Sequence, residues 1–309
     1  MAVYGDILAT IGGTPMVELA RLARREGVNA RIIAKIEARN PGGSTKDRAA
    51  LDMIRDAEAA GALRPGMLLV EPTSGNTGLG LALAAAVLGY RLVLTMPDTM
   101  SIERRKLAAA YGADIVLTPG AEGMRGAVEA AERIAREQNG FIPSQFTNPS
   151  NARAHYMTTA REILADMEGE PIAAFVSSVG TGGTLTGNGR ALKEADPATR
   201  VIAVEPAESP LLSKGKAGPH GIQGIGANFV PEVLDRALID EVMTVTTAQA
   251  LETARLAARC EGVLCGISSG AALRAALTLG ARSEYAGRAI VVILPDTGER
   301  YLSTALFGG

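Results

Sequence analysis

The chain has 309 residues, 47% hydrophobic and 21% charged, with 36 glycines and 15 prolines spread through it. This excludes long disorder and collagen-like repeats, and the length predicts about two domains rather than one. Lys plus Arg total 31 against 33 for Asp plus Glu, a formal charge of -2, so there is no electrostatic footprint for nucleic acid and small neutral or anionic ligands are the expected partners.

His155 and His220 stand far from each other and from the C-x4-C pair Cys260 and Cys265, so neither a metal site nor a disulfide framework is expected. The first residues lack a basic segment followed by an apolar core. The longest apolar stretch, from Leu79 to Met96, is broken by Gly89, Tyr90 and Arg91. Neither secretion nor membrane insertion is expected, and a cytoplasmic location is.

In chain order the first element is the turn PGGSTKDR, 41–48, followed by a helix with Leu51, Ile54 and Ala57 at helical spacing. Ser44 and Asp47 form a capping-box-like S-x-x-D, which places Lys46 in the first helical turn. A cation there opposes the macrodipole at about 0.3–1 kcal/mol, and the same field depresses its pKa, as suits a nucleophile or base. The plain alternative is an exposed lysine beside an aspartate. A strand over 67–71 leads into EPTSGNTG, 71–78, and a helix over 77–89. Hydroxyls, the Asn76 amide and helix-terminal N–H groups there would cradle a carboxylate, although Thr73, Ser74 and Asn76 are also ordinary turn residues. Strands over 91–97 and 114–118 follow, with helices over 101–111 and 122–139.

After the loop PSQFTNPSN, 143–151, come a helix over 152–167, a strand over 172–179 and the turn GTGGTLTGNG, 180–189. Small residues at a helix N-terminus let backbone N–H groups close on a phosphate. A dinucleotide reading competes, because Glu205 ends a strand about 20 residues on, where a ribose-binding acid is expected. Leu185 stands where G-x-G-x-x-G needs its third glycine, however, and one phosphate is favoured over a pyrophosphate. Strands over 200–205, 242–245 and 289–294 and helices over 248–261 and 269–280 complete the alternation of a parallel α/β fold. In CGISSGAA, 265–272, Ser269 reads as the N-cap of the last helix and Cys265 as a buried thiol.

Together, PGGSTKDR, EPTSGNTG, GTGGT, GIQGIGANFVP and LPDTGERYLST resemble the fold-type-II pyridoxal-phosphate enzymes, specifically the cysteine synthases (O-acetylserine sulfhydrylases) of A type, in the family's order from residue 11 to residue 307. The resemblance implies a tryptophan synthase β-like α/β architecture of two open-sheet lobes with the active site in the cleft between them. The expected domains are 1–145 and 146–309, the first 35 or so residues being able to pack on the other lobe. Position by position, Lys46 resembles the lysine that carries the cofactor. Gly180, Thr181, Gly182, Gly183 and Thr184 resemble the phosphate cradle, Asn76 the partner of the ring hydroxyl, and Ser268 the hydroxyl facing the pyridine nitrogen. Thr73, Ser74, Thr77 and Gln145 match the substrate-carboxylate cradle. Thr45 before the lysine and Asn228 after Ala227 depart from the pattern and leave the pocket shape open.

The implied reaction is β-replacement: pyridoxal 5'-phosphate serves as electron sink, acetate leaves O-acetyl-L-serine, and sulfide adds to the resulting α-aminoacrylate to give L-cysteine. Lys46 would both hold the cofactor and act as general base. A homodimer and binding of a serine acetyltransferase C-terminal tail are implied; nucleic acid and membrane are not. The alternatives are cystathionine β-synthase chemistry, O-phosphoserine as donor, and a non-catalytic binding subunit, against which the intact Lys46 stands. A nicotinamide dehydrogenase lies further off.

Overall fold

The computed structural model describes residues 3–100 and 102–308. Its strands are β1 Met16–Glu18, β2 Arg31–Ile36, β3 Leu68–Pro72, β4 Arg91–Pro97, β5 Asp114–Thr118, β6 Ile172–Ser178, β7 Arg200–Pro206, β8 Glu241–Val245 and β9 Ala289–Leu294. The helices are α1 Ala20–Arg25, α2 Lys46–Ala59, α3 Asn76–Leu88, α4 Ile102–Ala110, α5 Gly123–Gln138, α6 Ser150–Ala154, α7 Ala160–Asp166, α8 Gly183–Ala195, α9 Leu211–Lys214, α10 Thr247–Glu261 and α11 Ile267–Gly280. The expected helix start at Ser101 lies outside the described residues.

The chain divides into two compact units, Met1–Ile11 with Asn40–Asn151, and Gly12–Arg39 with Ala152–Gly309. The first holds a parallel sheet in the order β3-β4-β5. Phe141 extends one edge, its N–H donating to the Leu68 carbonyl and its carbonyl accepting from the Val70 N–H. On one face α5 lays down Ala131 and Ile134, at helical spacing, against Leu68, Val70 and Val93. A second cluster joins Ile54 of α2, Leu81 of α3, and Leu69 and Leu94 of the sheet. Because α3 is apolar nearly all round, it is buried on all sides from Thr77 to Ala85. The cut between units falls after Asn151, not after residue 145, because 144–151 is tied to the first unit: Ser144 and Gln145 donate to Glu71, and Ser150 Oγ donates to Asp56 at 2.7 Å.

The second unit carries a six-stranded sheet in the order β1-β2-β9-β6-β7-β8, parallel except for β1 against β2. All six residues of β9, AIVVIL, are buried, as a central strand covered on both faces requires. One face packs Ile32, Val176, Ile202 and Val292 against α10 and α11; the other packs Ile33, Phe175, Val201 and Val291 against α7 and α8. A reciprocal capping box starts α10, with the Gln249 N–H on Thr246 Oγ1 and the Thr246 N–H on Gln249 Oε1.

The expected continuous helix over 152–167 is instead interrupted by a π-helical turn, His155–Thr159, between α6 and α7. Sequence reading also missed β1, α1 and β2. Lys35 interrupts the apolar pattern of β2, and its charge is satisfied by distant groups: Nζ donates to the Thr14 carbonyl at 2.7 Å and pairs with Glu162 at 3.0 Å and Asp166 at 3.3 Å. Among the described residues no helix is long and apolar enough to cross a membrane.

Candidate active site

In the first unit, Lys46 is the first residue of α2. The expected capping box does not form. Ser44 Oγ accepts from the Lys46 N–H at 3.2 Å, while Asp47 Oδ2 turns back to the Gly42 N–H at 2.6 Å, so the carboxylate staples the preceding turn and not the helix start. Gly80 of α3 explains how close the two helices come, since a Cβ there would stand 2.9 Å from the Lys46 carbonyl oxygen and 3.1 Å from Ala50 Cβ. Any other residue would push Lys46 away from the start of α3, where Asn76 and Thr77 sit. Nothing in the sequence motif itself marked Gly80.

Thr73 and Ser74 occupy the turn between β3 and α3, with Thr73 Oγ1 accepting from the Gly75 N–H, and Asn76 and Thr77 are the first residues of α3. Buried Thr77 donates its hydroxyl to Gln145 Oε1 at 2.6 Å, which brings Gln145 to residues almost seventy positions earlier. The structure thus gathers Thr77 and Gln145 and holds Thr73 and Ser74 beside them in sequence. Glu71, which sequence reading treated only as the first letter of the motif, underlies the group: it is 1% exposed, and its oxygens accept from the N–H groups of Ser144 and Gln145. Burial, opposed by those two bonds, pushes its carboxyl up to about 7.

In the second unit, Gly180, Thr181 and Gly182 form the turn from β6 into α8, and Gly183 and Thr184 are the first residues of that helix. A Cβ at Gly180 would strike the Gly224 carbonyl oxygen, and one at Gly182, whose φ is 86, would lie 2.6 Å from Leu234 Cβ. Only glycine permits this compressed turn, in which backbone N–H groups gather at the positive end of a 13-residue helix. With the hydroxyls of Thr181 and Thr184 the donor set fits a phosphate monoester.

His155, set aside in the sequence as one of two scattered histidines, stands beside this turn. It is fully buried on the π-helical turn, with Nδ1 2.9 Å from Thr159 Oγ1 and Nε2 3.2 Å from Thr184 Oγ1. A π-turn with a polar side chain inside it is a signature of a functional position, but only the fold reveals that the turn exists. Gly187 admits the contact, because a Cβ there would collide with the Ala152 carbonyl and with His155.

Ser268 and Ser269 are both buried near the start of α11. The helix begins at Ile267 with Gly266 as its N-cap, so the expected capping role of Ser269 is not observed. Ser269 Oγ is buried without a well-formed hydrogen bond, and the Cys265 thiol is its polar neighbour. Burial, and then the Asp296 carboxylate, push that thiol up to about 12, so it stays protonated and inert at neutral pH. The dinucleotide alternative also loses its acid. Buried Glu205 accepts from the Leu212 N–H at 2.6 Å, the Ser213 N–H at 3.0 Å and Ser213 Oγ at 2.5 Å, so its oxygens are spent on the start of α9.

A cysteine synthase of Staphylococcus aureus is 49% identical over 302 residues, covering 98% of this chain and 96% of that protein. The crystal structure of a cysteine synthase from Entamoeba histolytica superposes with a TM-score of 0.96 at 44% identity, covering 99% of this chain and 91% of the other. An O-ureido-L-serine synthase matches with a TM-score of 0.96 at 47% identity, covering 100% and 96%. Residues 7–296 match the family model described as pyridoxal-phosphate dependent enzyme, and on that span and those identities the chain belongs to the pyridoxal-phosphate dependent enzymes.

Proposed function

We propose that the protein makes L-cysteine from O-acetyl-L-serine and sulfide. The observation that carries this reading is the arrangement around Lys46: one amine at the head of α2, in the same unit as a helix start where the hydroxyls of Thr73 and Ser74, the N–H of Thr77 and the side-chain amide of Gln145, which the Thr77 hydroxyl holds, form a neutral donor cradle suited to an amino-acid carboxylate. The S. aureus and E. histolytica relatives support sulfide as nucleophile.

Bound pyridoxal phosphate supplies the electron sink that lets the α-proton and the β-substituent leave. Lys46 would hold the cofactor through its amine, and the same Nζ would be the base for the substrate's α-proton. Gly180, Thr181, Gly182, Gly183 and Thr184 would hold the cofactor's phosphate. With the imidazole hydrogen on Nε2, His155 donates to Thr184 Oγ1 and leaves that hydroxyl's own hydrogen for a phosphate oxygen. Asn76 would partner the cofactor's ring hydroxyl. Ser268 would offer the pyridine nitrogen a neutral hydroxyl, which would favour β-elimination over transamination. The same reading carries a cytoplasmic homodimer and recognition of a serine acetyltransferase tail, both resting on the resemblance.

Steady-state rates of purified holoenzyme with O-acetylserine, O-phosphoserine and serine, each against sulfide, homocysteine and hydroxyurea, test the reading. O-acetylserine with sulfide is expected to give the highest kcat/KM. Serine with homocysteine dominating would make the protein a cystathionine β-synthase, and hydroxyurea dominating would align it with the O-ureido-L-serine synthase. Borohydride reduction and peptide mapping should place the pyridoxyl group on Lys46 and find none in Lys46→Ala. A pyridoxyl group on another lysine would remove Lys46 from its role.

A further inference from the structure

The Glu71 carboxylate has no part in the chemistry above, yet its placement is specific. It stands at the second-last position of β3, two residues before Thr73, and is buried. Consecutive backbone groups of another segment donate to its two oxygens, the Ser144 N–H to Oε2 at 2.9 Å and the Gln145 N–H to Oε1 at 3.2 Å. Ser144 has φ 59, a left-handed conformation that a serine keeps only when its surroundings hold it there. Gln145 is then fixed at two further points, its carbonyl accepting from Asn151 Nδ2 at 2.7 Å and its Oε1 from Thr77 Oγ1 at 2.6 Å. With Oε1 engaged, the side-chain NH2 is the donor that Gln145 has left for an anion.

Two adjacent N–H groups need two acceptors. A carboxylate supplies both, whereas the isosteric amide would set its own NH2 against one of them. A carboxyl group this deeply buried persists only through the groups that satisfy it, and here both of its oxygens are given to the Ser144–Gln145 backbone. We infer that Glu71 is a positioning residue for recognition of the substrate α-carboxylate: it clamps the Ser144–Gln145 backbone to the end of β3 and so sets the Gln145 amide in register with Thr73, Ser74 and Thr77. This rests on the proposal that those four residues bind an amino-acid carboxylate.

The test is Glu71→Gln in the full-length holoenzyme beside wild type. The KM for O-acetylserine should rise about tenfold or more, as loss of a hydrogen bond to a charged group predicts. The KM for sulfide, the pyridoxal-phosphate content and the visible spectrum should hold. L-cysteine binding, followed by calorimetric titration, should weaken by the same factor as the O-acetylserine KM rises. A clamp with only a folding role would lower melting temperature and cofactor content and would move both KM values together; that result, or an unchanged O-acetylserine KM, overturns the inference. If Glu71→Gln does not accumulate as holoenzyme, Glu71→Asp, one methylene short of both donors, is read by the same split. Wild type separates the two claims. Wild-type turnover confined to another β-substituted serine or another nucleophile defeats the reaction assigned above but leaves the L-cysteine titration to decide Glu71, while wild type that binds no amino acid defeats both.

Discussion

Ser268 and Ser269 are adjacent hydroxyls with separable consequences. Ser268→Asp places a carboxylate where the proposed function puts the pyridine nitrogen, raises that nitrogen's pKa by an opposite charge and stabilises a carbanion more strongly. The visible spectrum of the bound cofactor and the ratio of elimination to transamination are expected to change. Ser269→Ala removes a buried hydroxyl that caps nothing and makes no good hydrogen bond. It should therefore shift stability by less than about 0.5 kcal/mol, not by the 0.5–2 kcal/mol that loss of a cap would cost. Urea denaturation of both variants checks this, and a cap-sized loss in Ser269→Ala would show that its hydroxyl is bonded. At this scale the sequence was informative about residue type and poor about partner. Lys46, Thr77 and Ser268 stand in motifs that can be read by eye, whereas the bond from Thr77 to Gln145 and that from Thr184 to His155 join segments whose proximity no local pattern encodes.

In each unit helix starts carry the candidate residues, α2 and α3 in the first and α8 and α11 in the second each having one in the first turn. Unpaired N–H groups make such ends anion-seeking, and glycine lets the chain crowd against them. For α8 this has a measurable consequence. Gly182→Val must abandon φ 86 and drive a branched side chain into Leu234, so the turn opens and its N–H groups lose their convergence. Pyridoxal-phosphate affinity should fall by about tenfold or more, as the loss of one or two hydrogen bonds to an anion predicts. Equilibrium dialysis of apoenzyme reads it directly, and unchanged affinity would place the phosphate elsewhere. Gly80 acts through packing instead, letting α3 come close to the first turns of α2, at the Lys46 carbonyl and Ala50.

For the whole molecule, Glu71 couples stability to pH. Its carboxyl, ordinarily near 4.5, titrates at about 7 in the folded chain. The folded state therefore holds the proton more tightly than the unfolded state. Its contribution is complete below about pH 4.5 and is lost as pH rises through about 7, the full span being about 3 kcal/mol. Between pH 5 and 8 the urea midpoint of wild type should fall relative to that of Glu71→Gln. Parallel midpoints for the two chains would mean that Glu71 does not titrate in this range.

Most of the strands and helices were legible because their signals are local: period-2 or unbroken apolar runs such as AIVVIL, helical spacing in α2 and α5, and glycine-rich turns between them. The same locality exposed Lys46, the residues 73–77 and the glycine turn at 180–184. Elements whose stability comes from distant partners were hidden. Strand β2 carries a lysine neutralised by α7, the helix over 152–167 breaks into a π-turn where α8 presses on it, and α11 begins two residues before its first good cap. The partners of Glu71 and His155 were invisible in the sequence for the same reason. A buried polar side chain acquires its role from the groups that satisfy it, and those groups are chosen by tertiary packing, not by neighbours along the chain.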